Sequence, residues 1–577
     1  MSNFERKDID KMQGNRNGKQ QKNIQELRVV PLGGLGEIGR NMAVIEYGDD
    51  WVIIDSGILF PGEQHPGVDF IIPDFSYIVD NIDKIKAVLI THGHEDHIGA
   101  VPYLLRECNV PVYASPLAKG LLESKLREKT PSRINNLRSI GVGQPLTFGA
   151  MEVEFFPVAH SIPDATGIAI RTPLGVVVHT GDFKIDHTPV DGRPSDFRAL
   201  ANLAPDGAFL LLSDSTYAEV EGYTPSEQVV ADSLDSVIRD AQGRVLIATF
   251  ASLISRIQMA IDSASRYGRK VAIVGRSMVN NVRIALDLGY LTDPSKVLID
   301  IDRANRLEPN QVIIMTTGSQ GEPTSALVRI SNRAHRAVRI GLGDTVVISA
   351  SPIPGNERLV TRTVNNLMLL GATVFYDKNA TVHVHGHASK EELKSIISIL
   401  KPKYFVPVHG ERRHLSAHGK IARDLGVLEE NVFVLQDGDV LSLTERSAKV
   451  VDKVPSDYVY VSGKHVWRAT RKFFDDRMKL AGGGVVFVQV HIHGDGLNKR
   501  SSIKTVSNGF TEDFQELELL EEAAYMVEKD INGRLAIGED EFLKQDGIVK
   551  IAREKFATFL YNETGKRPTV VPTVINI

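Results

Sequence analysis

The 577-residue chain has a single cysteine, Cys108, so an internal disulfide framework is excluded. A fold held without cross-links points to a reducing, cytoplasmic setting. No run of eighteen apolar residues occurs and the opening is polar throughout, so neither a membrane span nor a signal peptide is expected. A large excess of one charge is also missing. The net charge of -5 argues against coating nucleic acid over the whole surface, although a local basic groove remains open. There are no internal repeats, and the only biased tract is 1–26, rich in Asn, Gln, Lys and Asp. It is read as a disordered tail, the alternative being a nucleic-acid-binding arm.

What is present is ordinary soluble composition, 42% apolar and 24% charged, in a chain too long for one core. The densest chemistry is Thr91-His92-Gly93-His94-Glu95-Asp96-His97. It follows an apolar run, 87–90, that reads as a buried strand, and precedes helical spacing over 98–107. Imidazoles and a carboxylate packed onto one strand-to-helix loop can aim at a shared pocket, which suits divalent metals of the zinc or manganese type.

Gly34-Leu35-Gly36-Glu37-Ile38-Gly39 matches the dinucleotide fingerprint, but a helix must follow it, and 41–46 with 51–54 reads as a β-hairpin. Asp55 ends the second strand beside the expected histidine loop, where it can orient a ligand from behind. Further strands end on polar groups: 151–158 on His160, 176–179 on Asp182, 209–212 on Asp214 and 404–408 on His409. From 226 the texture becomes a regular alternation of helices and parallel strands. Histidines return at Thr381-Val382-His383-Val384-His385-Gly386-His387. The domains expected are 27–225 and 396–455 as two parts of one, 226–395 inserted between them, a linker at 456–475, and an α+β domain at 476–577. In that last domain, 485–493 and 570–577 read as strands and 517–529 and 541–561 as helices. His491 and His493 share a strand face and read as a surface pair.

These motifs, in this order, resemble the metallo-β-lactamase superfamily, specifically its β-CASP nucleases, and most closely the ribonuclease J family. The likeness includes His179-Thr180-Gly181-Asp182-Phe183-Lys184, Thr317-Gly318-Ser319-Gln320-Gly321-Glu322-Pro323, Ser351-Pro352-Ile353-Pro354-Gly355 and Gly565-Lys566-Arg567-Pro568. It implies an α/β fold, an αββα metallo-β-lactamase sandwich with an inserted α/β β-CASP domain and a small α+β C-terminal domain. It implies two divalent ions, zinc or manganese, with His92, His94 and His160 holding one, Asp96, His97 and His409 the other, and Asp182 bridging. The activity implied is 5′-to-3′ exonucleolytic and endonucleolytic hydrolysis of single-stranded RNA in mRNA turnover and rRNA maturation, by water activated at the metals. Asp96 is also a candidate to guide a proton, while Asp214 and His387 match the pair that protonates the leaving oxygen.

His383, His385 and Gly386 are expected at the substrate phosphate, with His385 standing where the family usually has serine. A metal or phosphate contact there is open. Ser252, Arg276, Ser319 and Ser351 are candidates for a pocket that prefers a 5′-monophosphate. Six arginines (329, 333, 336, 339, 358 and 362) against Asp344 and Glu357 read either as a basic channel wall or as a solvated face. The resemblance also suggests a homodimer or homotetramer, or assembly with a paralogous ribonuclease J subunit. Two other readings compete: a non-catalytic scaffold for an active partner, and a hydrolase of small esters, which would not need so large an insertion.

Overall fold

The computed structural model describes residues 26–353, 356–494, 499–510, 514–537 and 545–576. The expected tail up to residue 25, Pro354, Gly355 and the start of the helix read at 541–561 lie outside the described residues.

Period-two alternation builds the centre. Ile168 and Ile170, Leu210 and Leu212, and Tyr404 and Val406 face one apolar core, while Ala169, Leu211 and Phe405 between them face another. These residues belong to a six-stranded sheet ordered Tyr404–Val408, Leu210–Asp214, Gly175–His179, Thr166–Thr172, Met151–Pro157 and Leu146–Phe148. Its first face packs on an eight-stranded sheet through Val29, Ile45, Val52, Ile54, Ala87 and Leu89. Its other face is covered by helices Phe197–Leu203, Lys390–Leu400 and Arg412–Asp424. Burying each large side chain contributes about 1.5–3 kcal/mol, so a sheet apolar on both faces demands both covers. The result is the αββα sandwich.

Strand direction then gathers the polar ends. Gly175–His179, Leu210–Asp214 and Tyr404–Val408 run parallel, so their C-terminal ends share an edge. Met151–Pro157 is antiparallel to Thr166–Thr172, which is antiparallel to Gly175–His179, so it too ends at that edge. In the facing sheet Asp50–Ile54 runs parallel to Ile85–Leu89, and the Asp55 amide donates to the Leu89 carbonyl oxygen. The hairpin read at 41–46 and 51–54 forms as Met42–Tyr47 paired antiparallel with Asp50–Ile54.

The chain leaves the six-stranded sheet after Asp214, passes through the insertion, returns to the sandwich with helix Lys390–Leu400, and re-enters the sheet at Tyr404, the parallel neighbour of the strand it left. The insertion carries its own six-stranded sheet ordered Leu298–Ile299, Lys270–Val274, Val312–Thr316, Val245–Ala248, Thr345–Ile348 and Thr373–Phe375, parallel at every pairing.

Of the described residues, those up to 60 and from 71 to 458 form one compact unit, and 61–70 with those from 459 onward a second. The second unit differs from expectation at 456–475. That stretch is not a bare linker but carries strands Val459–Ser462 and His465–Trp467 and the start of helix Arg471–Gly483. The rings of His65, Tyr460 and Phe474 pack together at 4.7–5.4 Å, a partnership across 400 positions that no local pattern signals. Further on, Arg500–Asn508, Val485–His493 and Thr569–Asn576 form one sheet over helices Phe514–Ile537 and Gln545–Thr564. Arg500–Asn508 was missed because it is an edge strand dominated by polar residues.

Candidate metal centre

The loop after Ile85–Leu89 delivers His92 and His94, and the loop after Met151–Pro157 delivers His160. His94 Nδ1 lies 3.0 Å from His92 Nε2 and 3.1 Å from His160 Nε2. Burial holds all three imidazoles neutral, His94 pushed down to about 4, His160 to about 3, and His92 well below its ordinary value. Three lone pairs converging on one point form a donor set that suits a divalent cation.

A second set stands beside it. Asp96 Oδ2 lies 3.2 Å from His409 Nε2 and 3.5 Å from His97 Nε2. Here the charge balance reverses. Although burial acts the other way, Asp182, Asp96 and Asp55 pull His97 well above its ordinary value, and Asp182 and Asp96 carry His409 up to about 9. Asp96 and Asp182 are held well below the carboxylate range against their burial, chiefly by His97 and His409. This crowding of carboxylates is the kind of charge that a cation neutralises. Asp182 Oδ2 joins the two sets, 3.2 Å from His97, 3.5 Å from His409, 3.6 Å from His92 and 3.8 Å from His160, each at Nε2.

The outward ring nitrogens of His92, His97, His160 and His409 are occupied, which leaves their inward ones for a metal. His97 Nδ1 donates to Asp55 Oδ2 at 2.8 Å, and Asp55 also accepts from the Thr91 amide and hydroxyl. His92 Nδ1 donates to Thr91 Oγ1, His160 Nδ1 to the Gly386 carbonyl oxygen, and His409 Nδ1 to Thr216 Oγ1, which in turn donates to Asp214 Oδ1. Asp55 and His409 both adopt left-handed backbone, φ 59° and 55°. Such strain is held only where surrounding contacts fix it.

Asp214 and His387 meet, with Nδ1 donating to Oδ2 at 2.8 Å. Burial opposes the charge on each, yet His387 is raised by Asp214 and Asp214 lowered by His387. Gly386 offers its carbonyl oxygen to His160, and a Cβ there would lie 2.7 Å from the His160 ring. His385 stacks on Tyr217 and is pushed down to about 4 by burial and by His387. Among the described residues neither it nor His383 joins a group of converging ligands. His383 faces a buried ionic cluster, where Arg256 pairs with Glu227 at 2.7 Å and Lys184 with Asp186 at 3.4 Å.

Four family models match successive stretches: the metallo-beta-lactamase superfamily over 35–246, the ribonuclease J beta-CASP domain over 242–367, a Zn-dependent metallo-hydrolase RNA specificity domain over 377–435, and the ribonuclease J C-terminal domain over 472–577. Ribonuclease J 1 of Streptococcus pyogenes serotype M3 is 40% identical, the alignment covering 95% of this chain and 98% of that one. The chain belongs to the ribonuclease J family. Ribonuclease J of Thermus thermophilus is 41% identical over 95% of both chains, and ribonuclease J2 of Bacillus subtilis 37% identical over 96% of this chain and 100% of its own. A protein of unknown function from Enterococcus faecalis, 17% identical, superposes with a TM-score of 0.51 over 72% of this chain and 100% of its own, a likeness of fold.

The remaining candidates of this ribonuclease J family member belong to none of the converging groups among the described residues. Ser252, Arg276, Ser319 and Ser351 follow four adjacent parallel strands of the insertion, at the carboxyl edge where open α/β sheets bind ligands. Arg276 is exposed, Ser319 buried, and the other two half-buried. All six arginines at 329–362 are exposed. His491 and His493 stack at 6.4 Å, with His493 Nε2 3.0 Å from the Ser502 hydroxyl.

Several residues were not singled out by the sequence. Asn41 Nδ2 lies 3.2 Å from His97 Nε2 and donates to the Asp96 carbonyl oxygen. Thr91, Thr216 and His179 also stand at the centre. His179 Nδ1 accepts from the Gly181 amide, and burial pushes it down to about 4. Only Thr91 and His179 carried a signal, their place inside the motifs.

Proposed function

We propose that this chain is a metal-dependent ribonuclease that hydrolyses single-stranded RNA from the 5′ end and internally, in RNA processing and decay. The observation carrying this reading is the convergence of two metal-type donor sets on Asp182 Oδ2 beside the Asp214–His387 pair. His92, His94 and His160 would hold one zinc or manganese ion, and Asp96, His97 and His409 a second, with Asp182 facing both. When bound, such ions supply Lewis acidity to the phosphoryl oxygens and lower the pKa of water.

The chain's own residues do the rest. Asp214 accepts the hydrogen bond from His387 Nδ1 and favours the imidazolium, which leaves Nε2 to hand a proton to the departing 3′ oxygen. Gly386, next to His387, fixes His160 through its carbonyl oxygen, so one loop serves both the metal side and the acid. The carboxyl edge of the inserted sheet, with Ser252, Arg276, Ser319 and Ser351, takes the 5′-monophosphate that sets the entry point. The exposed arginines at 329–362 attract the RNA backbone. No described helix is long and apolar enough to cross a membrane, and the lone buried Cys108 fits a reducing cytoplasm. The chain works as a homodimer or homotetramer, or with a paralogous subunit.

The test is cleavage, in manganese, of 3′-labelled single-stranded RNA carrying a 5′-monophosphate or a 5′-triphosphate, beside Asp182→Ala. Faster loss of the monophosphorylated RNA, abolished by the substitution, is the expected result. Folded, metal-loaded protein that cleaves neither RNA would overturn the reading and favour a scaffold.

A further inference from the structure

Tyr217 and His385 take no part in the steps above, and among the described residues neither belongs to a group of converging ligands. Tyr217 lies three residues beyond Asp214, and His385 two residues before His387. Their rings lie face to face, centroids 3.7 Å apart and planes 7° from parallel. Three further contacts tie this stack to the acid. His385 Nδ1 donates to the backbone carbonyl oxygen of His387 at 2.8 Å. The Tyr217 ring runs nearly parallel to the His387 ring, 15° at 5.9 Å. The Tyr217 backbone also bridges to Ser389, on the far side of His387.

We propose that Tyr217 and His385 form an aromatic brace that holds His387 in the geometry from which it protonates the leaving oxygen. Both are positioning residues, and the inference rests on the acid role given to His387 above.

The need for a brace follows from the loop. His387 stands outside any helix or strand, next to a glycine, with its ring anchored to Asp214 by one hydrogen bond. Its carbonyl oxygen is fixed by two donors, His385 Nδ1 and Thr224 Oγ1, both at 2.8 Å. Those bonds set the peptide plane. The stack on Tyr217 sets where His385, and hence its Nδ1, can sit. Since Tyr217 follows directly from the segment that carries Asp214, the acid and its carboxylate partner are positioned by one continuous assembly. A displacement of about 1 Å at a reacting group lowers rate by about a hundredfold, so loss of the stack should appear in kcat.

The discriminating measurement compares two substrates in full-length protein. Cleavage of 5′-monophosphorylated RNA expels an alkoxide that needs a proton, whereas thymidine 5′-(p-nitrophenyl phosphate) expels a phenolate that does not. Tyr217→Leu and His385→Ala are expected to lower kcat on RNA by about 10- to 100-fold with KM nearly unchanged, while the nitrophenyl ester slows by less than about threefold. Tyr217→Phe, which keeps the ring, should recover most of the loss. His387→Ala should show the same selectivity in stronger form. Equal losses on both substrates, a change confined to KM as for a base-stacking platform, or an unselective His387→Ala would each overturn the brace. Asp182→Ala, abolishing turnover of both substrates, would uphold the nuclease reading whichever way the brace variants fall.

Discussion

Asp55 acts on the candidate metal ligands without belonging to their groups. It orients His97 and pins Thr91, which in turn holds His92. Asp55→Asn keeps a residue that tolerates the left-handed backbone but removes the charge facing His97 Nδ1. Manganese affinity, read by titration of the free ion, is expected to fall about tenfold with the fold intact; an unchanged affinity would refute this role. A second residue gives a pH prediction. The fully buried Arg40 guanidinium lies between Glu37 at 2.7 Å and Asp437 at 2.8 Å. Burial pushes Asp437 up to about 7, with Arg40 acting against it. In the unfolded chain this carboxyl titrates at about 4. The folded state therefore binds more protons between about pH 4 and 7, and its stability falls as pH rises through that window, then levels off. Relative to Asp437→Asn, the parent protein should lose on the order of 2 kcal/mol between pH 5 and 8 in denaturant titrations. A difference that stays constant with pH would rule it out.

Among elements, the loop 380–389 shows how little room the centre leaves. Gly386 is needed for close approach, since a Cβ would meet His160 Cε1 at 2.7 Å and Nδ1 at 2.8 Å. Gly386→Ala should displace both His160 and His387, lowering single-turnover cleavage by about a hundredfold or more while circular dichroism stays native. Wild-type rates in this variant would show that the loop yields freely. Helix Lys390–Leu400 anchors the same loop, because the buried Glu392 carboxylate accepts from the amides of Ile185, Thr224 and Ser389, each at 2.7 Å. That single side chain ties the segment after Asp182 to the one after His387.

At the scale of the molecule, every candidate metal ligand among the described residues lies in the first unit, which ends at Tyr458, and the second unit has a core of its own. A chain truncated after Tyr458 should bind metal with the same stoichiometry, and with affinity within about twofold, as expected of independent sites. Equilibrium dialysis would decide, and loss of metal binding on truncation would mean that the centre depends on the second unit.

The sequence alone marked most strands of the central sheets, where period two and apolar runs are local, but neither the polar edge strand Arg500–Asn508 nor the short strands within 456–475. It also determined the candidate ligands, because each of their motifs sits at the end of such a strand. The Asp214–His387 pair was legible only through the family's motifs, being 173 positions apart. Tertiary structure alone decided the partners that turn ligands into a centre. Asn41 meets Asp96 and His97, Thr216 links His409 to Asp214, and Arg40 finds Asp437 at a separation of 397 residues. It also decided that 456–475 is structured, because 61–70 packs with it. Periodicity records which face of an element is buried, whereas a hydrogen bond across hundreds of residues depends on where the chain returns, and no local pattern encodes that.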